Sequence, residues 1–316
     1  MKTSNNAVRV SVVIPTRSRP DLVRRAIESV LEQTLTNFEV VVIVDGPDPI
    51  TVATLQKLND PRVRCIELER NVGGAEARNV GIRESRGEWI AFLDDDDEWL
   101  PTKLEAQLRV TESLADPRVV IASQYFEQTE NDRFIQPRAV PRSGQAISEY
   151  LFCETNFKGI RQGFLQTSTW FVSRELLLSV PFTTGLKRNQ DTDWLLRAFA
   201  DPRVQLILIE QPLAVFYNQS SAVRISNTLD WQYHYEWLLS REKLFTKRAA
   251  AYFIASICMA TAVQQGTDAR VFRKLLLAAF RRAPFSLKCL WFCVANRFIF
   301  PHRGVLRLQA AKLFAR

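Results

Sequence analysis

Val10 to Ile14 (VSVVI) is a short, mainly β-branched run halted by Pro15, and from Asp21 to Gln33 apolar residues recur at helical spacing. The pair predicts a strand, a loop and a helix. The same alternation gives a strand over Phe38 to Val44, a helix over Ile50 to Leu58, a strand over Val63 to Leu68 and a helix over Ala75 to Glu84. A strand over Trp89 to Leu93 and a helix over Lys103 to Leu114 follow. Strands with so few polar positions are covered on both faces, as in a parallel sheet flanked by helices. The first 115 residues therefore predict a doubly wound α/β fold.

From about Val119 the pattern is mixed, with short strands expected over Val119 to Phe126, Thr169 to Ser173, Val204 to Ile209 and Ala214 to Tyr217. Loops and a helix over Thr192 to Ala200 lie between them. After Asn227 the pattern is almost purely helical, with breaks near Gly266, Pro284 and Pro301. The expected division is a domain over 1–225, with halves 1–115 and 116–225, and a helical region over 226–316. The uncharged run from Ala249 to Gly266 falls short of the ~20 apolar residues that span a bilayer, so it predicts a buried helix.

Of the 316 residues 47% are hydrophobic, ample for a packed core. The five cysteines (Cys65, Cys153, Cys258, Cys289, Cys293) lack zinc-site spacing, and their odd number suits free thiols in a reducing compartment. Met1 to Val10 holds no apolar stretch of a signal peptide, so a cytoplasmic location is expected. The net charge of +8 is unevenly spread: residues 241–316 carry 15 Lys and Arg against Glu242 and Asp268 alone, leaving the first 240 residues net acidic. A nucleic-acid reader normally carries its basic face on the recognition fold, so no nucleic-acid partner is expected. The segments Arg281 to Phe300 and Val305 to Phe314 set Trp291, Phe292, Phe298 and Phe300 among Arg and Lys. Either they pack on the core with solvated charges, or they form a peripheral contact with an anionic membrane.

The chemistry gathers where strands end. Asp94, Asp95, Asp96 and Asp97 follow the apolar run Trp89 to Leu93 directly, at the carboxyl end of a buried parallel strand, where open α/β sheets bind ligands. Two unit charges ~4 Å apart interact by roughly 4 kcal/mol at an effective dielectric of 20, and a divalent cation is the natural compensation. Hard carboxylate oxygens suit Mg²⁺ or Mn²⁺ holding a diphosphate; the bland alternative is a solvated turn capping the next helix. Asp45 ends the strand before it, where its carboxylate could accept the N–H of a base, form the turn or cap the next helix. Asn71-Val72-Gly73-Gly74 opens a helix bearing Arg78 and Asn79, and its glycines permit close backbone approach beside a helix N-terminus that favours anions. His234 and His302 are isolated, and Asn218-Gln219-Ser220 would not meet glycosylation machinery in the cytoplasm, so none is assigned a role.

Together the stretches VSVVIPT (11 to 16 at its core), the strand ending at Asp45, NVGGAEARNVGI (71–82), GEWIAFLDDDDEW (87–99) and PTKLE (101–105) resemble the nucleotide-binding half of an inverting family 2 glycosyltransferase with the GT-A fold. The resemblance implies a Rossmann-like, doubly wound mixed sheet followed here by a C-terminal helical region. It places Asp45 at the nucleobase, Asp94 and Asp96 in an Asp-x-Asp pair with Asp96 as leading metal ligand, and Arg78 near the phosphates. Pro15, Thr16, Arg17, Asn71, Gly73 and Asp95 join the donor site; the family usually carries an aromatic and an Asn where Arg17 and Ser18 stand. Asn189 to Arg197 (NQDTDWLLR) is similar to the family's catalytic helix, which implies Asp191 as base and Asp193 as supporting acid, with Gln190 replacing the usual Glu. Without the resemblance, Asp191 reads as a helix N-cap and Asp193 as a partner of the helix dipole.

The implied reaction moves one sugar from a UDP-, GDP- or dTDP-sugar to an acceptor hydroxyl with inversion, assisted by Mn²⁺ or Mg²⁺. Processive relatives add a Gln-x-x-Arg-Trp motif and membrane helices, and neither occurs here. Family analogy points to a glycan or lipid-linked acceptor in bacterial surface polysaccharide or lipopolysaccharide assembly. A haloacid-dehalogenase-type phosphatase would also end a strand in Asp-x-Asp, but on its first strand. A nucleotidyltransferase would need a Gly-rich, Lys-bearing loop after the first strand, where Pro15-Thr16-Arg17-Ser18 stands. A sugar- or nucleotide-binding pseudoenzyme is the non-enzyme alternative.

Overall fold

The computed structural model describes residues 8–156, 161–218 and 230–295, which fall into two compact units. One takes the residues up to Pro141 and from Leu165 to 218; the other takes those from Arg142 to Phe164 and 230–295.

The first unit is built on a nine-stranded mixed sheet. Strands β1 (Val10–Thr16), β2 (Phe38–Val44), β3 (Val63–Glu67) and β4 (Trp89–Phe92) alternate with helices α1 (Pro20–Leu31), α2 (Pro49–Gln56) and α3 (Gly74–Glu84). They run parallel in the spatial order β3-β2-β1-β4. Every residue of β2 is buried, as its apolar run requires when helices cover both faces. Beyond β4 come a two-residue strand β5 (Glu98–Trp99), helix α4 (Lys103–Thr111), strands β6 (Val119–Gln128) and β7 (Arg133–Gln136), and, after the second unit's first segment, β8 (Phe171–Ser173), α6 (Arg174–Ser179), α7 (Gln190–Ala198) and β9 (Gln205–Tyr217). β8 joins the sheet antiparallel to both β4 and β6.

The two strands expected over 204–217 form the single strand β9. Its pairing jumps from Ser123 opposite Ile209 to Gln124 opposite Pro212, so the proline sits at a bulge instead of ending the strand. β5 and β7 and helix α6 were not evident in the pattern, because two to six residues are too few to establish a period.

The second unit holds α5 (Ile147–Cys153), α8 (Trp231–Ser240), α9 (Lys247–Phe253), a π turn (Ile254–Cys258), α10 (Met259–Gln264), α11 (Ala269–Arg282) and α12 (Leu287–Val294). Ala249 to Ala255 are all buried, as expected of a helix apolar on every side. Residues 142–156, inside the span 116–225, group with these helices because α5 docks on α9: Phe152 stacks on Phe245 and meets Phe253 edge-on, and Glu149 pairs with Arg248. His234 is buried against Phe253. The expected breaks at Gly266 and Pro284 end α10 and α11, whereas Pro301, His302, Phe298, Phe300 and Val305 to Phe314 lie outside the described residues.

Packing of α3 on the sheet requires Gly81, where a Cβ would lie 2.3 Å from Cγ1 of Val13. Alanine would gain about 0.5–1 kcal/mol of helix propensity but overpack the core by about 1–3 kcal/mol. Gly81→Ala is therefore expected to lower unfolding free energy by about 1 kcal/mol in denaturant titration, and equal or higher stability would contradict this packing.

Candidate active site

The run after β4 is sorted by face. Asp94, Asp96 and Glu98 are partly exposed, while Asp95, Asp97 and Trp99 are buried. Each buried acid has its own holders. Asp95 accepts from Thr16 Oγ1 at 2.7 Å and from Arg19 at 3.0 Å, tying the run to the loop after β1. Burial pushes its pKa up to about 6, against the pull of Thr16 and Arg19. Asp97 accepts from Ser168 Oγ at 2.6 Å and from Gln166 Nε2 at 2.7 Å. Burial, with the charges of Asp94 and Asp96, drives its carboxyl well above the usual range.

Ser168 also accepts the backbone N–H of Asp94 at 3.0 Å, and its carbonyl receives Trp99 Nε1 at 2.7 Å. Gln166, Thr167 and Ser168 were not singled out by sequence reasoning. The available signal was a polar cluster, Gln166 to Thr169, immediately before an apolar strand; buried hydroxyls and amides there need partners, and the acidic run supplies them.

The outward pair meets two further elements. Asp94 Oδ1 receives Arg78 of α3 at 2.5 Å, and Asp96 is paired with Arg19 at 3.3 Å. Arg78 is itself buried, and its charge is favoured by Asp94 first, then by Asp191 and Asp95. Asp191, in the first turn of α7, is half-buried; burial raises its pKa, while Arg78 and the Thr167 hydroxyl oppose the shift and Asp94 adds to it. The cap of α7 is Asn189, in the left-handed conformation with φ 62°, so Asp191 is not the N-cap. Gln190 donates to the Leu186 carbonyl at 2.8 Å, and its Oε1 lies 3.7 Å from where Gly74 would carry a Cβ.

Other expected site residues are held elsewhere. The Asp45 carboxylate receives Asn71 Nδ2 and the backbone N–H groups of Val72 and Gly73 at 2.7, 2.7 and 3.0 Å, so it fastens the loop before α3 to the end of β2. Asp48, not Asp45, caps α2. The two loops pass so closely that a Cβ on Gly46 would lie 3.0 Å from Asn71 N. Pro15 and exposed Arg17 lie beside Thr16 at the end of β1. Asp193 is fully buried and bonded to Thr183 at 2.7 Å and Arg197 at 2.8 Å, away from the outward carboxylates; two residues apart on a helix, it and Asp191 face different sides.

Among the described residues no group of three or more His, Cys, Asp or Glu side chains could hold a metal ion. Asp94 and Asp96 still fit Mg²⁺ or Mn²⁺, which bind through one or two carboxylates and complete their shell with water and substrate phosphate. Their hard oxygens on the open face of the run match that requirement.

Residues 11–177, from β1 to within α6, match glycosyl transferase family 2. The chain belongs to that family. It is thus a glycosyltransferase. The amylovoran biosynthesis glycosyltransferase AmsB of Erwinia amylovora is 29% identical over 255 residues, covering 76% of this chain and 81% of that protein. The crystal structure of S. aureus TarS 1–349 in complex with UDP-GlcNAc has a TM-score of 0.63 at 18% identity, over 96% of this chain and 92% of that one. The mannosyltransferase PcManGT from Pyrobaculum calidifontis, in complex with GDP-Man and Mn²⁺, has a TM-score of 0.51 at 19% identity, over 96% and 79% of the two chains. These likenesses establish the GT-A fold.

Asn79, the neighbour of Arg78 on α3, exchanges two hydrogen bonds with the backbone of Phe182, at 3.0 and 2.8 Å. Asn79→Ala would leave a buried N–H and C=O without partners, and is expected to cost about 1–3 kcal/mol in denaturant titration. A change below 0.5 kcal/mol would show that this link is not structural.

Proposed function

We propose that this glycosyltransferase moves a single sugar, with inversion, from a nucleotide-sugar donor to an acceptor hydroxyl, using Asp191 as base and a divalent cation at Asp94 and Asp96. The observation that carries the reading is that buried Arg78, paired with Asp94 at 2.5 Å, also lies within electrostatic reach of half-buried Asp191, while Asp96 is held beside them on the same run. A carboxylate meant to take a proton from a hydroxyl during attack gains from a raised pKa. Asp191 accepts the acceptor's proton as its oxygen attacks the anomeric carbon from the face opposite the diphosphate. Bound at Asp94 and Asp96, Mn²⁺ or Mg²⁺ would offset the charge of the departing diphosphate. Arg78 holds Asp94 in place and adds positive charge beside it.

A UDP- or GDP-sugar donor and a metal are supported by the ligands of the TarS and PcManGT structures, and a role in polysaccharide assembly by the likeness to AmsB. We read the acceptor as a growing or lipid-linked glycan. Asp45, with Asn71 and Gly73, shapes the nucleotide side by fixing the loop before α3, and Thr16 acts through Asp95.

A thermal-shift screen of UDP-, GDP- and dTDP-sugars with Mn²⁺ or Mg²⁺ should yield a stabilising donor. With that donor, Asp191→Asn is expected to lower transfer at least about 100-fold while preserving the shift; unchanged turnover would remove Asp191 as base. Asp96→Ala should abolish the metal-dependent part of the shift. Absence of any turnover in wild type, with the shift intact, would favour a binding protein without catalysis.

The pH profile gives a separate check. Asp191 works only when ionised, and its pKa lies above the ordinary 3.8, so kcat/KM should rise with pH through a value above 3.8. Below it the rate should fall tenfold per pH unit. A profile flat down to pH 4 would contradict the assignment.

A further inference from the structure

The helices α11 and α12 of the second unit present apolar side chains outward as well as inward. α12 buries Cys289, Phe292 and Cys293 on one side, yet Leu287, Leu290 and Val294, at positions i, i+3 and i+7, are exposed on another. Leu287 is 82% exposed, and Phe285, in the turn between the helices, is 95% exposed. Leu277 and Phe280 extend the exposed apolar surface onto α11. Single exposed apolar residues are ordinary; a run of them over two consecutive helices marks an interaction surface.

The charge around this surface selects the partner. From Lys243 to the end of the chain Asp268 is the only acid, and its carboxylate is spent capping α11, where it accepts the N–H groups of Arg270 and Val271; Glu242, just before, is paired with Arg282 at 2.6 Å. Exposed Arg270, Arg273, Lys274 and Arg281 lie on α11, and exposed Lys288 lies on α12. The outward leucine, valine and phenylalanine need an apolar interior, and the basic residues beside them an acidic layer above it. An anionic bilayer offers both. No described helix is long and apolar enough to cross a membrane, and α12 has only eight residues, so the contact lies in the interface plane.

We propose that α11, Phe285 and α12 form a peripheral docking surface for an anionic lipid bilayer, with Phe285 and Leu287 inserted among the acyl chains and the α11 arginines against the headgroups. The proposal rests on the second unit alone and holds whether or not Asp191 is the base.

The test is co-sedimentation of the full chain with vesicles of phosphatidylcholine alone or with 30% phosphatidylglycerol, at roughly physiological salt. Binding to the anionic vesicles is expected, at least about tenfold stronger than to the neutral ones. Phe285→Glu with Leu287→Glu should reduce it at least about tenfold, and Arg273→Glu with Arg281→Glu should erase the preference for anionic lipid. All four positions are exposed, and an unchanged melting temperature for each variant confirms folding. Equal binding to both vesicles, or no binding to either, overturns the proposal. So does a concentration-dependent dimer, seen by analytical ultracentrifugation, that Phe285→Glu dissociates while vesicle binding is unaffected.

Discussion

The segment Val180 to Thr183 joins the two helices that carry Arg78 and Asp191, and the placement of these two groups depends on it. From α3, Asn79 binds both the N–H and the C=O of Phe182. From α7, Trp194 Nε1 donates to Val180 O at 2.6 Å, Arg197 to Pro181 O at 2.7 Å, and Asp193 accepts from Thr183. Phe182 is packed among Phe92, Trp170 and Trp194, so the bracket is seated in the core. Arg78 and Asp191 therefore stand on helices bonded to one short stretch of backbone. That rigidity matters because Arg78 is a buried cation: removing one partner of a buried ion pair costs about 3–5 kcal/mol.

The acidic run obeys the same economy of partners. Four consecutive carboxylates would repel one another strongly if all faced the same way. Turning Asp95 and Asp97 inward trades repulsion for burial, and the burial is offset by a hydroxyl for each, from Thr16 and Ser168, with Arg19 and Gln166 added. The inward pair thus fastens the run to the loop after β1 and to the turn before β8. The outward pair is left where its oxygens can reach ligands, beside Arg78 and Arg19.

Much of the parallel half was legible in the chain because its strands are short, mostly apolar runs, those of β2 and β4 ending close to Asp45 and Asp94; the expected halt at Pro15 does not occur, since β1 runs on through it to Thr16 in register with β2. β2 occupies the expected residues, and the other parallel strands differ by two residues or fewer. What was not legible depends on contacts distant in sequence. Nothing local in Gln166 to Thr169 says that it will lie against residues about seventy positions earlier. Nothing local in Asn79 says that it will bind Phe182, 103 residues on. Asp45 and Asp48 illustrate the same limit at short range: both suit a turn or a cap, and only the passage of the Asn71 loop over β2 assigns the cap to Asp48 and the loop to Asp45. Asp191 and Asp193 share one sequence motif, yet helical geometry sends one toward Arg78 and the other into the bracket.

The placement of so much acid at one point follows from the sheet's connectivity. β1 is central in β3-β2-β1-β4, and the chain leaves it through α1 toward β2, whereas it reaches β4 from β3 through α3. Right-handed crossovers in opposite senses put these helices on opposite faces, and between them the loops after β1 and β4 meet at the carboxyl ends of the strands, where Thr16 and Arg19 bind Asp95. Within the strands a buried carboxylate needs donors of its own, as Glu39 of β2 has in Ser11, Arg64 and the backbone N–H of Arg86. At the carboxyl ends the loop after β1 supplies Thr16 and Arg19, and the N-terminal turn of α3 supplies Arg78. The acids cluster after β4 because that is where the fold brings donors from two sides.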